Sequence, residues 1–423
     1  MRIDKIYIQN FKGFKGHHFY FDHNMTVLIG DNGSGKTSIL DAHSFVLGTF
    51  FLGIDGVASR PLKEYEKRKV IVSPESIETQ LPFVIDVEHQ LAGKDYHWYR
   101  DTNKKSGGAT SYKHAIELIN TAKDYAQRIK QGDTVNLPVI AYYGTARLAR
   151  EQHQKLAYKK QGSRLDGYYS ALDPSSFRRK FLEWFKTFED SKLKFDKEDT
   201  LYQAFTDVIT SMVPAWTKIR FSWEADDMLG QLDNGEWVSF GMLSDGYQNI
   251  IRLAADIAYR AITLNPHLGE NVVKETEGVV LVDEIDMHLH PSWQKTIIAD
   301  LKNAFPKIQF IVTTHSPFIV QSLRAEELIN LDLQTGESPL AKSIEDIAET
   351  EMQVTDVRRS QRFNEMQTLA SEYFDLIEQG KTAQDDAETK SIKDQLDAIE
   401  LEFSDDPVYV ALMQAERKTE LTE

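Results

Sequence analysis

Gly30-Asp31-Asn32-Gly33-Ser34-Gly35-Lys36-Thr37 is a Gly, four residues, then Gly-Lys-Thr, which is the phosphate-loop pattern. Its flanks suit it. Met25 to Ile29 before it reads as an apolar strand, and the run from Lys36 to Ala42, with Ser38 in its first turn, reads as a helix. Glycine at three positions lets the backbone take turns that a side chain would forbid, so successive N–H groups can converge on phosphate oxygens at a helix N-terminus. Gly30 through Ser38 is therefore the expected phosphate cradle. Lys36 would reach the β- and γ-phosphates, and the Thr37 hydroxyl would hold magnesium.

Three distant stretches read as parts of the same site. Leu243-Ser244-Asp245-Gly246-Tyr247-Gln248 stands at the start of a helix that continues with Ile250, Leu253, Ala254 and Ile257 in register, so Ser244 and Gly246 offer a second anion cradle. Gly278 to Val282 is an uninterrupted apolar strand running into Asp283 and Glu284. Such a strand belongs inside a parallel sheet, whose C-terminal edge is where ligands bind. Asp283 is the expected second magnesium ligand, and Glu284 the group that orients and deprotonates an attacking water. A third strand, Phe310 to Thr314, ends at His315, within reach of a γ-phosphate. His288 and His290 sit two apart with no third ligand evident, and read better as a loop between subunits than as a metal site.

The composition narrows the class. The chain has 423 residues, 27% of them charged, and no cysteine, which excludes disulfides and thiolate metal sites. No apolar run approaches the roughly 18 residues that span a bilayer, and the first residues lack the apolar core of a signal peptide. A cytoplasmic protein without a membrane partner is expected. The net charge is −16, which argues against a general nucleic-acid coat. From Glu345 to Glu423 there are 21 Asp and Glu against 8 Lys and Arg, a balance of 8 − 21 = −13, so the acid is concentrated in the tail. That tail reads as a solvated helical surface or as a docking element for a basic partner.

Residues 2 to 9 alternate as a strand, and Pro82 to Glu88 with Tyr96 to Tyr99 read as paired strands of a β lobe. Tyr112 to Lys130 keeps helical spacing up to Gly132. The stretch from Arg147 to Arg164 is the most basic in the chain. It reads either as a phosphate- or nucleic-acid-binding segment or as an ordinary exposed helix. Phe177, Phe181, Trp184, Phe185 and Phe188 mark a core-facing helical side. No heptad repeat runs between the phosphate loop and residue 240, so no long coiled-coil arm is expected. Arg362 to Glu378 and a helix opening at Asp406-Pro407 suggest a helical C-terminal module.

With these motifs in order, the chain resembles ABC-type ATPases of the recombination and chromosome-maintenance branch, which includes RecF and the OLD-family ATPases. Gly30 to Thr37 corresponds to Walker A, Leu243 to Gln248 to the signature motif, Leu281 to Glu284 to Walker B, Ile285 to Pro291 to the D-loop, and His315 to the switch histidine. Asn10-Phe11-Lys12, with Phe14, also matches that branch, and the resemblance adds Asn10 and Lys12 to the nucleotide contacts. It implies ATP and Mg2+ as cofactors and a head-to-tail dimer, with Ser244, Asp245 and Gly246 capping the partner's ATP. Asp245 stands where many relatives have Gly, which implies slow turnover.

A narrower resemblance is to the PtuA-type ATPase subunit of Septu anti-phage systems and of related retron operons. It is carried by Leu243 to Asn249, Leu264 to Gly269, Val282 to Pro291, Thr313 to Phe318 and Phe403 to Pro407. It implies a separate HNH nuclease subunit, PtuB-like, restrained by ATP and docked on the C-terminal module, with DNA met through the complex. No nuclease motif is evident in this chain. The expected architecture is α/β, an ABC-type P-loop ATPase head with a flanking β lobe, an α-helical insertion and an α-helical C-terminal module. Its parts are residues 1–145 as the N-terminal half of the core with the β lobe, 146–238 as a mainly helical insertion, 239–335 as the C-terminal half, and 336–423 as an acidic docking module. The alternative is a RecF-like DNA-repair ATPase that binds DNA directly through Arg147 to Arg164.

Overall fold

The structure, a computed structural model, describes residues 1–73, 76–145, 162–173, 180–195, 200–213, 215–333, 338–355 and 360–400. The chain opens with β1 (Arg2–Phe11), β2 (Phe14–Tyr20), β3 (Met25–Ile29) and α1 (Lys36–Phe51). Then come β4 (Lys69–Ser73), β5 (Ser76–Thr79), β6 (Phe83–Leu91), β7 (Lys94–Thr102), α2 (Ile116–Lys130) and β8 (Val139–Tyr143). The middle holds α3 (Lys180–Phe195), α4 (Thr200–Met212), β9 (Trp216–Ser222), β10 (Asp227–Leu232) and β11 (Trp237–Ser239). After it follow α5 (Asp245–Leu264), α6 (Val272–Glu275), β12 (Gly278–Val282), α7 (Pro291–Gln294), α8 (Ile297–Ala304), β13 (Ile308–Thr313), α9 (Pro317–Gln321) and β14 (Leu328–Asn330). The last described helices are α10 (Ile344–Thr350), α11 (Gln361–Glu378) and α12 (Ala387–Glu400).

Five parallel strands in the order β14-β3-β13-β12-β8 form the central sheet. Every residue of β3, β8, β12 and β13 is buried, as expected of apolar strands covered on both faces. A second sheet, antiparallel in the order β2-β1-β6-β7, is the β lobe, and β6 and β7 alternate between buried residues and ones open to solvent in part or in full. Helix α1 lies between the two sheets, against β1 and β6 on one side and β12 and β13 on the other. That position explains why it is apolar on nearly every side.

Two buried amide side chains tie these layers together by imitating a strand's backbone. Gln309 on β13, 1% exposed, accepts from the Ile3 N–H at 2.8 Å and donates to the Ile3 carbonyl at 2.8 Å and to the Phe21 carbonyl at 3.3 Å. Asn265, at the end of α5, pairs in the same way with the N–H and carbonyl of Leu137, just before β8. Unpaired backbone groups are costly in a dry interior, so each amide satisfies backbone groups that no strand pairs on that side.

The segment between β8 and α5, expected to be mainly helical, also contains strands. Besides α3 and α4 it holds an antiparallel sheet, β11-β10-β9. The buried Ile219 and Phe221, two apart among exposed neighbours, and the turn at Asn234-Gly235 produce it. Trp184 and Phe185 pack against Phe205, and Phe185 and Phe188 lie flat against Tyr202, so the aromatic side of α3 is core. Phe177 and the stretch from Arg147 to Lys160 lie outside the described residues. The hairpin β4-β5 was not foreseen from the sequence.

The chain divides into two units, Met1–Ile347 and Ala348–Glu423, a boundary later than residue 336. In the second unit α11 and α12 pack through Met366, Ala370, Tyr373, Leu396 and Ile399, and the Ser360 hydroxyl caps α11 by accepting from the Phe363 N–H. The helix expected at Asp406-Pro407 is outside the described residues.

Gln309→Ala would leave the Ile3 N–H and carbonyl buried without their partner. At roughly 1–3 kcal/mol for each of the two unsatisfied groups, the expected loss of stability is about 2–6 kcal/mol, read from the urea midpoint. An unchanged midpoint would show that the amide does not join the sheets.

Candidate nucleotide-binding site

Strand β3 ends at Ile29, and the chain turns through Gly30 to Gly35 into α1, whose N-cap Gly35 has φ 106°. This is strand, loop and helix as the motif requires. The Lys36 side chain folds back inside the loop, its Nζ donating to the Gly30 carbonyl at 2.6 Å and the Asp31 carbonyl at 2.9 Å. Burial pulls the Lys36 ammonium below its ordinary value, while Asp332, Asp283, Asp31 and Glu284 oppose that shift.

Because β3, β13 and β12 are adjacent and parallel, their C-terminal ends share one rim. Thr37 at the start of α1 donates from Oγ1 to the Asp283 carboxylate, 3.0 and 3.2 Å to its two oxygens. The Thr313 hydroxyl at the end of β13 donates to Asp283 at 2.7 Å and accepts from the Glu284 N–H at 2.7 Å. One hydroxyl therefore fixes both acidic residues. Glu284 itself takes a left-handed backbone, φ 48°, which is uncommon for a residue with a side chain. One strand over, Thr314 donates from its hydroxyl to Asp286 at 2.6 Å, and His315 stands exposed at the rim. A hydroxyl and a carboxylate at this spacing are hard oxygen donors of the kind magnesium takes.

Ser244 is the N-cap of α5, and it and Asp245 are exposed. Gly246 is pressed against the loop after β12. A Cβ there would lie 2.4 Å from the His288 carbonyl oxygen, so only glycine allows the approach. Asn249 Nδ2 donates to the Met287 carbonyl at 3.1 Å and fastens the same junction. A cleft of ≈ 660 Å³ opens here, lined by Ser244, Asp245, Gly246, Tyr247, His288, His290 and Trp293. His290 accepts from the Ser292 N–H and so caps α7. Among the described residues no group of three or more His, Cys, Asp or Glu could hold a metal ion.

Asn10 and Lys12 are engaged elsewhere in this structure. Asn10 Nδ2 donates to the Pro82 carbonyl at 2.8 Å, and Lys12 pairs with Asp41 on α1. Phe14 from the same turn lies over the phosphate loop, its ring in the space that a Cβ on Gly35 would need. Asp41 also pairs with Arg60 at 3.0 Å and hydrogen-bonds Tyr142, whose hydroxyl burial and carboxylates raise well above its ordinary range. No motif spacing marks Asp41, Arg60 or Asp332 as site residues, and Thr313 stands in a motif without a role of its own in the sequence. Arg164, the described end of the basic stretch, turns inward and donates to the carbonyls of Leu264 and Val135.

Known proteins resemble this chain along much of its length. The family described as "AAA domain, putative AbiEii toxin, Type IV TA system" matches residues 25–321. The chain is 28% identical to "Retron Vc95 probable ATPase" of Vibrio cholerae serotype O1 biovar El Tor, over 93% of this chain and 86% of that protein. It is 28% identical to "Septu protein PtuA" of Bacillus mycoides (strain KBAB4), over 76% of this chain and 39% of that protein. A structural likeness to the "SMC head domain from Thermotoga maritima" has a TM-score of 0.42 at 15% identity and covers 78% of this chain and 94% of that one. Among the described residues no helix is long and apolar enough to cross a membrane.

Lys36→Ala removes the one cation enclosed by the loop's carbonyls. Losing one partner of a buried charge pair costs about 2–5 kcal/mol, so ATP affinity should fall at least about thirtyfold with the melting curve unchanged. Calorimetric titration checks this, and wild-type affinity in the folded variant would remove Lys36 from the site.

Proposed function

The chain belongs to that AAA-domain family, it is an ABC-type ATPase, and we propose that it is the ATP-binding, slowly hydrolysing subunit of an anti-phage defence complex. In this reading it senses ATP and controls a separate HNH nuclease subunit. The similarity to a retron ATPase across 93% of the chain carries the reading, and the likeness to a Septu protein supports it.

ATP lies in the cradle of Gly30, Asp31, Asn32, Gly33, Ser34 and Gly35, with Lys36 against its β- and γ-phosphates and Ser38 in the first turn of the helix. Thr37 and Asp283 hold Mg2+, which when bound neutralises charge between the phosphates. Their existing contact at 3.0 Å supports that pairing, since both present hard oxygen donors. Glu284 orients and deprotonates the attacking water, and His315 contacts the γ-phosphate. Ser244, Asp245 and Gly246 of a second copy cap the ATP, in keeping with the exposure of Ser244 and Asp245. Asp245 adds a carboxylate beside the triphosphate, which opposes charge build-up and slows turnover. Asn10 and Lys12 complete the nucleotide contacts.

Slow turnover suits a sensor. A ligand that binds one arrangement stabilises it by RT ln(1 + [L]/Kd), about 2.7 kcal/mol at a hundredfold excess over Kd. Falling ATP withdraws that stabilisation. The acidic C-terminal helices are the docking element for the nuclease, and the paired, ATP-bound state holds the nuclease inactive.

Glu284→Gln should keep ATP binding while hydrolysis falls roughly 10²- to 10⁴-fold, the usual worth of general-base catalysis. Phosphate release measured at saturating ATP checks this, and a wild-type rate would exclude Glu284 as the base. The complex reconstituted with its nuclease subunit should cleave nucleic acid less as ATP rises through the millimolar range. Cleavage that requires ATP would make this chain a driver, and the restraint would be wrong.

A further inference from the structure

Asp332 belongs to no motif, yet it meets the phosphate loop. It follows β14, which runs beside β3 with Asn330 opposite Ile29, and the Leu331 N–H continues the ladder to the Ile29 carbonyl. The side chain of Asn330 then accepts from the Asp332 N–H at 3.1 Å and bends the chain. The bend brings Asp332 Oδ2 to 2.5 Å from the Asp31 N–H. Gly30 makes the approach feasible. Its φ is 145°, and a Cβ there would lie 2.8 Å from the Asp332 oxygen and 2.7 Å from the Ser34 hydroxyl.

The Asp31 N–H and the Gly30 carbonyl are the two ends of a single peptide group, and they point in opposite directions. The carbonyl accepts from Lys36 Nζ at 2.6 Å, and the N–H donates to Asp332. One peptide plane is therefore gripped on both sides, by the ammonium within the loop and by the carboxylate outside it. Hydrogen bonds in series polarise one another, and a bond to a carboxylate is stronger than a neutral one.

We propose that Asp332 is a positioning residue of the nucleotide site, which holds Lys36 in its phosphate-binding pose by fixing the peptide between Gly30 and Asp31. The proposal rests on the reading of Gly30 to Ser38 as the ATP site. Asp332 need not touch nucleotide, because it acts through the peptide, and any oxygen acceptor of its length serves.

The test compares ATP titration and steady-state hydrolysis for the wild type, Asp332→Ala and Asp332→Asn. Alanine should weaken ATP binding about tenfold and raise KM by a similar factor, with kcat nearly unchanged. Asparagine keeps an acceptor oxygen and should restore affinity to within about threefold of wild type. Should Asp332→Ala not fold, Asp332→Ser, too short to reach the Asp31 N–H, takes its place. Wild-type affinity in the truncated variant overturns the proposal. So does an asparagine variant as weak as alanine, or tighter binding in either variant, which would make the charge a repeller of phosphate. A wild-type chain that binds no ATP would instead overturn the assignment of the loop.

Discussion

The hydrogen bond from Thr37 to Asp283 joins two residues 246 positions apart, and the site exists only where it can form. Neither residue reaches the other through local structure. The contact requires β3 and β12 to flank β13 in one parallel sheet, with α1 rising from the end of β3. Given that order, Thr313 falls between them and fastens Asp283 and the Glu284 backbone together. The five-strand order thus does the work of a binding motif that no single segment contains.

How much of this was legible follows from the range of each signal. The phosphate loop, the apolar strands and the helix after Ser244 announce themselves within about ten residues, by pattern and periodicity. Asp41, Thr313 and Asp332 are single polar residues whose meaning appears only when distant strands are laid side by side. The same holds for Gln309, whose amide is informative only against β1. The strands β9 to β11 left only the short alternation at Ile219 and Phe221 in the sequence, and the strong aromatic side of α3 dominates the segment. The nucleotide roles of Asn10 and Lys12 rest on resemblance alone. The structure gives each a partner within the fold.

The loops after β12 and β13 and the start of α5 are bonded to one another. Gly246 packs closely against the His288 carbonyl, Asn249 donates to the Met287 carbonyl, Asp286 accepts from the Thr314 hydroxyl, and Ser316 donates to Gln294 at 2.6 Å. These contacts make a continuous polar block from the rim beside Glu284 to the exposed N-terminus of α5. Packed groups of this kind move together or not at all.

The placement of β3 between β13 and β14 has a consequence for synthesis on the ribosome. Met25 to Ile29 leave the exit tunnel early, but both strands that flank β3 come from residues beyond 307. At roughly 5–20 residues per second, β3 waits about 15–60 s for a neighbour. The β lobe can pair meanwhile, since β1, β2, β6 and β7 all lie within the first 102 residues. The phosphate loop therefore gains its supporting sheet last although it is made among the first, and a nascent chain released before β13 carries the Walker A sequence with no sheet to present it.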